Sequence, residues 1–155
     1  MIDTQPVPSP EPAPPRTSAI EVTFPGGKQV DAVVGGHHIR TDQPASLGGE
    51  GSAPAPFELF LASLATCAGI YALGFCQARG LPTEGLRLRQ VVEEDPQTHL
   101  PASIRIEITP PVGFPEKYVA GLARAVEGCK VKKTIVRQPA FAVSLTAAED
   151  PCAAE

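Results

Sequence analysis

The stretch from Pro56 to Arg79, PFELFLASLATCAGIYALGFCQAR, decides the fold. It places Cys67 in the middle of a helical run and carries no charge between Glu58 and Arg79. Pro54 and Pro56 sit where a first helical turn tolerates proline, and Gly80 sits where helices commonly stop. Leu59 to Ala78 is a run of twenty uncharged residues, long enough to span a bilayer. Ser63, Thr66, Gly69, Gly74 and Gln77, an alanine-rich composition and strand patterns on both sides point instead to the central helix of a soluble domain. A helix that is apolar all round has no solvent face, so protein is expected to cover it on every side. In so small a domain such covering implies a homodimer.

Around that helix the apolar period is two. Ile20, Val22 and Phe24 alternate with Glu21 and Thr23, a Pro25-Gly26-Gly27 turn follows, Val30, Ala32 and Val34 continue, and Gly35-Gly36 turns the chain again. After the helix, Leu86 and Leu88 alternate with arginines, and Ile104, Ile106 and Ile108 alternate with Ser103, Arg105 and Glu107. Asp95-Pro96 to Pro101 reads as the connection of a hairpin. A shorter amphipathic helix is expected from Glu116 to about Glu127, with Tyr118, Val119, Leu122 and Val126 on one side, and Phe141, Val143 and Leu145 form an expected last strand. The expected order is a three-strand meander, a long buried helix, two strands, a helix and a final strand. Strands grouped apart from helices make this an α+β fold.

Composition narrows the function. The chain has 155 residues with a formal net charge of −4, and 43% hydrophobic against 19% charged residues is ordinary for one globular domain. That domain is read over residues 17–148. Six prolines among the first fifteen residues make 1–16 a disordered tail, and 149–155 is a short C-terminal tail containing Cys152. Without a basic footprint, binding to nucleic acid or to an anionic membrane has no support. Four cysteines with no CxxC pair, behind a start that lacks a leader pattern, predict a cytoplasmic chain with reduced or reactive thiols. His37 and His38 are adjacent in a strand and point to opposite faces, so no metal site is expected of them.

The candidate chemistry is therefore thiol chemistry. Cys67 and Cys129 are each read onto a separate helix. A cysteine in mid-helix gains nothing from its own helix dipole, and apolar surroundings raise a thiol pKa, so Cys67 is expected to need a nearby cation. Cys129, beside Lys130, Lys132 and Lys133 at a helix end, is electrostatically the easier nucleophile. Cys76 lies nine residues beyond Cys67, about 180° round an ideal helix, and is read as core packing. Phe57, Phe60, Tyr71 and Phe75 are read as core or interface side chains.

The run of Asp42, Pro44, Gly48-Gly49, Pro54, Pro56, Glu58, Leu59 and Cys67 resembles the signature of the OsmC/Ohr family (osmotically inducible protein C and organic hydroperoxide resistance proteins), with Cys129, followed by Val131, at the place of that family's second cysteine. The resemblance covers about residues 19–147. It implies an intertwined homodimer and thiol-dependent reduction of organic hydroperoxides in oxidative-stress defence. Cys67 is then the peroxidatic residue, Cys129 the resolving one, and an external dithiol the reductant, with no bound cofactor. The chain also departs from the family pattern. Phe57 stands where the best-characterised members carry a catalytic Glu, the nearest carboxylate being Glu58, and Lys28 stands nearest to the position of their activating Arg. Arg40 and Glu50 are the other candidate activating charges. The alternative is a non-catalytic dimer of the same fold, acting as a redox sensor or binding an apolar ligand.

Overall fold

The computed structural model describes residues 16–147, and the chain divides into two compact units between Pro56 and Phe57. Residues 1–15 and 148–155 lie outside the described part, and with them all but Arg16 of the expected N-terminal tail, the C-terminal tail and Cys152.

The N-terminal unit is the expected meander of β1 (Glu21–Gly26), β2 (Gln29–Val34) and β3 (His37–Ile39), antiparallel and in that order across the sheet. Gly35 and Gly36, at φ 55° and 80°, form the two-residue turn between β2 and β3, a backbone shape that side chains resist. Beyond β3 the loop is organised by Asp42, which is buried to 1% exposure. Its carboxylate accepts the backbone N–H groups of Gln43 (2.8 Å), Glu50 (3.1 Å) and Ser52 (3.0 Å) and the Ser52 hydroxyl (2.9 Å). A buried carboxylate needs this many donors, and they hold its pKa below the ordinary value, the Ser52 amide most of all. Gly49 is required there because a Cβ would lie 1.9 Å from the Gln43 carbonyl oxygen. The Asp42 to Gly49 part of the signature is thus a loop-closing device.

The second unit is built on α1 (Pro56–Gln77), β4 (Arg87–Glu94), β5 (Pro101–Thr109), α2 (Val119–Glu127) and α3 (Lys130–Arg137). β4 and β5 are an antiparallel pair with Arg87 opposite Thr109 and Val92 opposite Ile104. Asp95 Oδ1 closes their connection by accepting the N–H groups of Gln97 and Thr98. Gly80, at φ 61°, ends α1, and the Leu81 N–H returns to the Cys76 carbonyl. Leu64, Ala68, Ala72 and Cys76, each one turn apart on α1, form the core with Leu122 and Val126 of α2 and with Cys129. Leu86, Leu88, Ile104, Ile106 and Ile108 of the hairpin pack against them. Full burial of a leucine such as Leu64 or Leu122 contributes about 1.5–3 kcal/mol. Gly121 of α2 lets the helices close, since a Cβ there would come within 2.9 Å of the Phe75 ring.

Within a single chain only the Leu64–Ala68–Ala72–Cys76 stripe of α1 is buried, while Phe57, Phe60, Ile70 and Tyr71 are exposed. Two expectations need correction. The last strand does not form. Phe141, Val143 and Leu145 are 92%, 97% and 100% exposed, because alternation makes a strand only where another strand supplies the hydrogen bonds. Cys129, expected within a helix, instead caps a separate helix, α3.

Candidate functional site

The site begins with the break between α2 and α3. Gly128 is the C-cap of α2, and its N–H reaches back to the Ala125 carbonyl. The next residue, Cys129, leaves helical geometry at φ −46° and ψ 122° and is the N-cap of α3, whose first helical bond runs from the Lys133 N–H to the Cys129 carbonyl at 3.0 Å. Gly128 suits this corner sterically, since a Cβ would lie 3.1 Å from the Tyr71 ring and 2.9 Å from the Ala125 oxygen. The chain therefore turns tightly against α1, and the unsatisfied amides at the start of α3 are brought to Cys67.

Cys67 is half-buried and Cys129 fully buried, and both are free thiols. The Cys67 pKa is lowered from the ordinary thiol value. The backbone N–H of Val131 is the largest cause, working against burial, and the Cys129 thiol, the Lys130 amide and the Lys130 charge act in the same direction as Val131. Hydrogen bonds to the charged form favour ionisation, so these groups stabilise a thiolate. Cys129 goes the other way: burial raises its pKa, and the neighbouring Cys67 adds to the rise. Its S–H has a second acceptor in the Leu64 carbonyl, 3.9 Å away. The arrangement therefore holds one thiol prone to ionise beside one that keeps its proton.

The cation that Cys67 was expected to need is Lys130, although the Val131 amide acts more strongly, whereas Cys129, expected to be the easier nucleophile, is made less acidic by burial. Cys67 gains nothing from the dipole of α1, and the acidifying amides belong to the start of α3. Of the lysines that follow Cys129, Lys132 is paired with Glu127, and the Cys129 thiol itself is turned into the core. Lys130 and Val131, read in the sequence only as neighbours of Cys129, are the residues whose amides act on Cys67. The available signal was a Gly-Cys corner followed by KVKKTIVR, whose apolar residues recur at helical spacing.

The proposed activating charges are placed as follows. Glu58 occupies the first turn of α1, a stabilising place for a carboxylate, about two and a half turns before Cys67 and on the opposite face. Phe57 beside it is exposed, its ring stacked on Phe60 with centroids 5.6 Å apart. Lys28, Arg40 and Glu50 belong to the N-terminal unit and are exposed there. Lys28 lies in the β1–β2 turn and Arg40 follows β3, while Glu50 is fixed through its backbone N–H on Asp42. Cys76 is buried in the core stripe of α1, and burial raises its pKa, as suits a packing role.

Comparison with known proteins agrees with this architecture. Residues 49–144 match the family model of OsmC-like proteins. No curated protein matches the chain. Among solved structures the fold is similar to that of a Psychrobacter arcticus protein described as an osmotic stress induced and detoxification response protein, with a TM-score of 0.66 and 21% identity over 77% of this chain and 88% of that one. It is also similar to an organic hydroperoxide resistance protein, OsmC, from Legionella pneumophila, with a TM-score of 0.50 and 20% identity over 77% of this chain and 89% of that one. At these identities the likeness is one of fold.

Proposed function

The chain belongs to the OsmC-like protein family, a family of redox-related stress proteins, and from that premise we propose that it is a thiol-dependent peroxidase acting on organic hydroperoxides. The observation that carries the reading is the pairing of an acidified, half-buried Cys67 with a buried, protonated Cys129. The thiolate is the nucleophile that peroxide reduction requires, and a second thiol must trap the product before further oxidation.

The Cys67 thiolate attacks the terminal peroxide oxygen. A sulfur–oxygen bond forms as the O–O bond breaks, an alcohol leaves after taking up a proton, and Cys67 becomes a sulfenic acid. The Cys129 sulfur then attacks the Cys67 sulfur, giving a disulfide and water. An external dithiol returns both cysteines to thiols and is itself oxidised to a disulfide. The Lys130 and Val131 amides and the Cys129 S–H act in the first step by stabilising the thiolate. We further infer a homodimer in which a second copy covers the exposed Phe57, Phe60 and Ile70 face of α1, checked by sedimentation equilibrium.

One observation favours a second, non-catalytic reading: Phe57 stands where the family's catalytic carboxylate is expected, and Glu58 lies on the wrong face of α1. The two readings separate on hydroperoxide consumption with a dithiol present. The peroxidase reading requires turnover by the wild type, none by Cys67→Ser, and a single turnover followed by over-oxidation in Cys129→Ser. Equal rates in wild type and Cys67→Ser would leave the redox-sensor or ligand-binding reading.

A further inference from the structure

Two aromatic rings of α1 lie against two glycines at α2. A Cβ at Gly121 would come within 2.9 Å of the Phe75 ring, and one at Gly128 would lie 3.1 Å from Tyr71 Cε1 and 3.2 Å from Tyr71 Cδ1. Tyr71 and Phe75 are one turn apart on α1, and Tyr71 is one turn beyond Cys67 on the same side of that helix. In both places a ring fills the space that a side chain would have taken, so the rings set how closely α2 and its end approach α1.

The two contacts are not equivalent. Phe75 packs against the core, meets Tyr118 edge to face with centroids 6.3 Å apart, and carries the Arg79 guanidinium 3.9 Å over its ring. Its glycine, Gly121, lies inside α2. Tyr71 bears instead on Gly128, where α2 has ended, and the next residue is Cys129. Every group that lowers the Cys67 pKa follows within three residues of that glycine: the Val131 amide foremost, then the Cys129 thiol and the Lys130 amide and charge. Hydrogen bonds weaken steeply as distance and angle depart from the ideal, so a small displacement of this corner is felt at the Cys67 sulfur.

We propose that Tyr71 is a positioning residue of the thiol site: its ring seats the corner of Gly128 and Cys129 on α1 and thereby keeps the start of α3 aimed at the Cys67 sulfur. The contact is made by ring carbons, so the hydroxyl takes no part. Joined to the peroxidase reading, on which this part rests, Tyr71 acts on peroxide reduction only through the amides that stabilise the attacking thiolate.

The test follows iodoacetamide alkylation of Cys67 against pH in the reduced full-length chain, because the inflection reports ionisation whatever the access to the sulfur. Tyr71→Leu should raise the inflection and leave about tenfold less Cys67 thiolate at pH 7, the worth of about one hydrogen bond to a charged group. Tyr71→Phe should keep the wild-type inflection. Phe75→Leu should lower the urea midpoint and leave the inflection in place, a separation that packing alone would not produce. Should Tyr71→Leu fail to fold, Tyr71→Met gives the same reading. An unmoved inflection in the Tyr71→Leu or Tyr71→Met protein, an upward shift in Tyr71→Phe, or an equal upward shift in Phe75→Leu overturns the proposal. Consumption of cumene hydroperoxide with a dithiol present is measured alongside. A raised inflection in Tyr71→Leu with no consumption even by the wild type supports the seat and defeats the peroxidase reading. Consumption by the wild type with an unmoved inflection in Tyr71→Leu does the reverse.

Discussion

The backbone N–H of Val131, in the first turn of α3, is directed at the sulfur of Cys67 in the middle of α1, and it is the largest single influence lowering that thiol's pKa. A cysteine in mid-helix thereby acquires the environment of a helix N-terminus, borrowed from a different helix. The sharp corner at Gly128 and Cys129 is what makes the loan possible.

The two thiols should separate on pH. Alkylation by iodoacetamide follows the thiolate, so Cys67 should titrate below the ordinary thiol range and Cys129 above it, in keeping with the opposite shifts of the pair. Peptide mass mapping of alkylation against pH reads both inflections. Coincident inflections would contradict the geometry.

Removing the Val131 donor should make Cys67 less acidic. Proline is tolerated in a first helical turn, so Val131→Pro deletes the N–H while α3 can still start. The side chain of Val131 also packs against the core, and Val131→Ala, which keeps the amide, separates the two effects. The Cys67 inflection should move up in Val131→Pro and stay nearly in place in Val131→Ala. Cys129→Ala should also move it up, since an S–H donor is lost.

Gly128→Ala should cost stability without any backbone strain, its φ being −68°. The added methyl meets both the Tyr71 ring and the Ala125 carbonyl, and overpacking of this kind typically costs about 1–3 kcal/mol. A lower urea midpoint at unchanged m checks it. A midpoint equal to wild type would show that the corner relaxes freely.

Asp42 should make part of the stability acid-sensitive. Its folded pKa is lowered, so its contribution is fully present above the unfolded value near 3.8 and is lost as pH falls through the lowered folded value. Asp42→Asn removes the charged acceptor, and the difference in stability between wild type and variant should shrink over that acid window. Urea midpoints measured from pH 6 down to pH 2 test this, and a constant difference would contradict it.

Much of the architecture was legible because it rests on local patterns. The period-two runs at Val30 to Val34 and Ile104 to Ile108, the Gly35-Gly36 turn, and the Pro56 start and Gly80 stop of α1 each carry their own physical signal. The errors share a cause: each required knowing what stands across from a residue. Phe141, Val143 and Leu145 alternate like a strand, yet alternation does not name a partner strand. At the site, Cys67 and Cys129 stood out as residue types with a plausible spacing. Their relative acidity was misread because backbone amides have no letter in a sequence, and the amides of Lys130 and Val131 are what decide it.

The most direct test is a thiol count on the purified, reduced protein before and after one equivalent of cumene hydroperoxide, with Cys67→Ser alongside. The account predicts rapid loss of two thiols per chain, mapped to a Cys67–Cys129 disulfide and absent in the variant. No loss, or the same slow loss in both proteins, would contradict it.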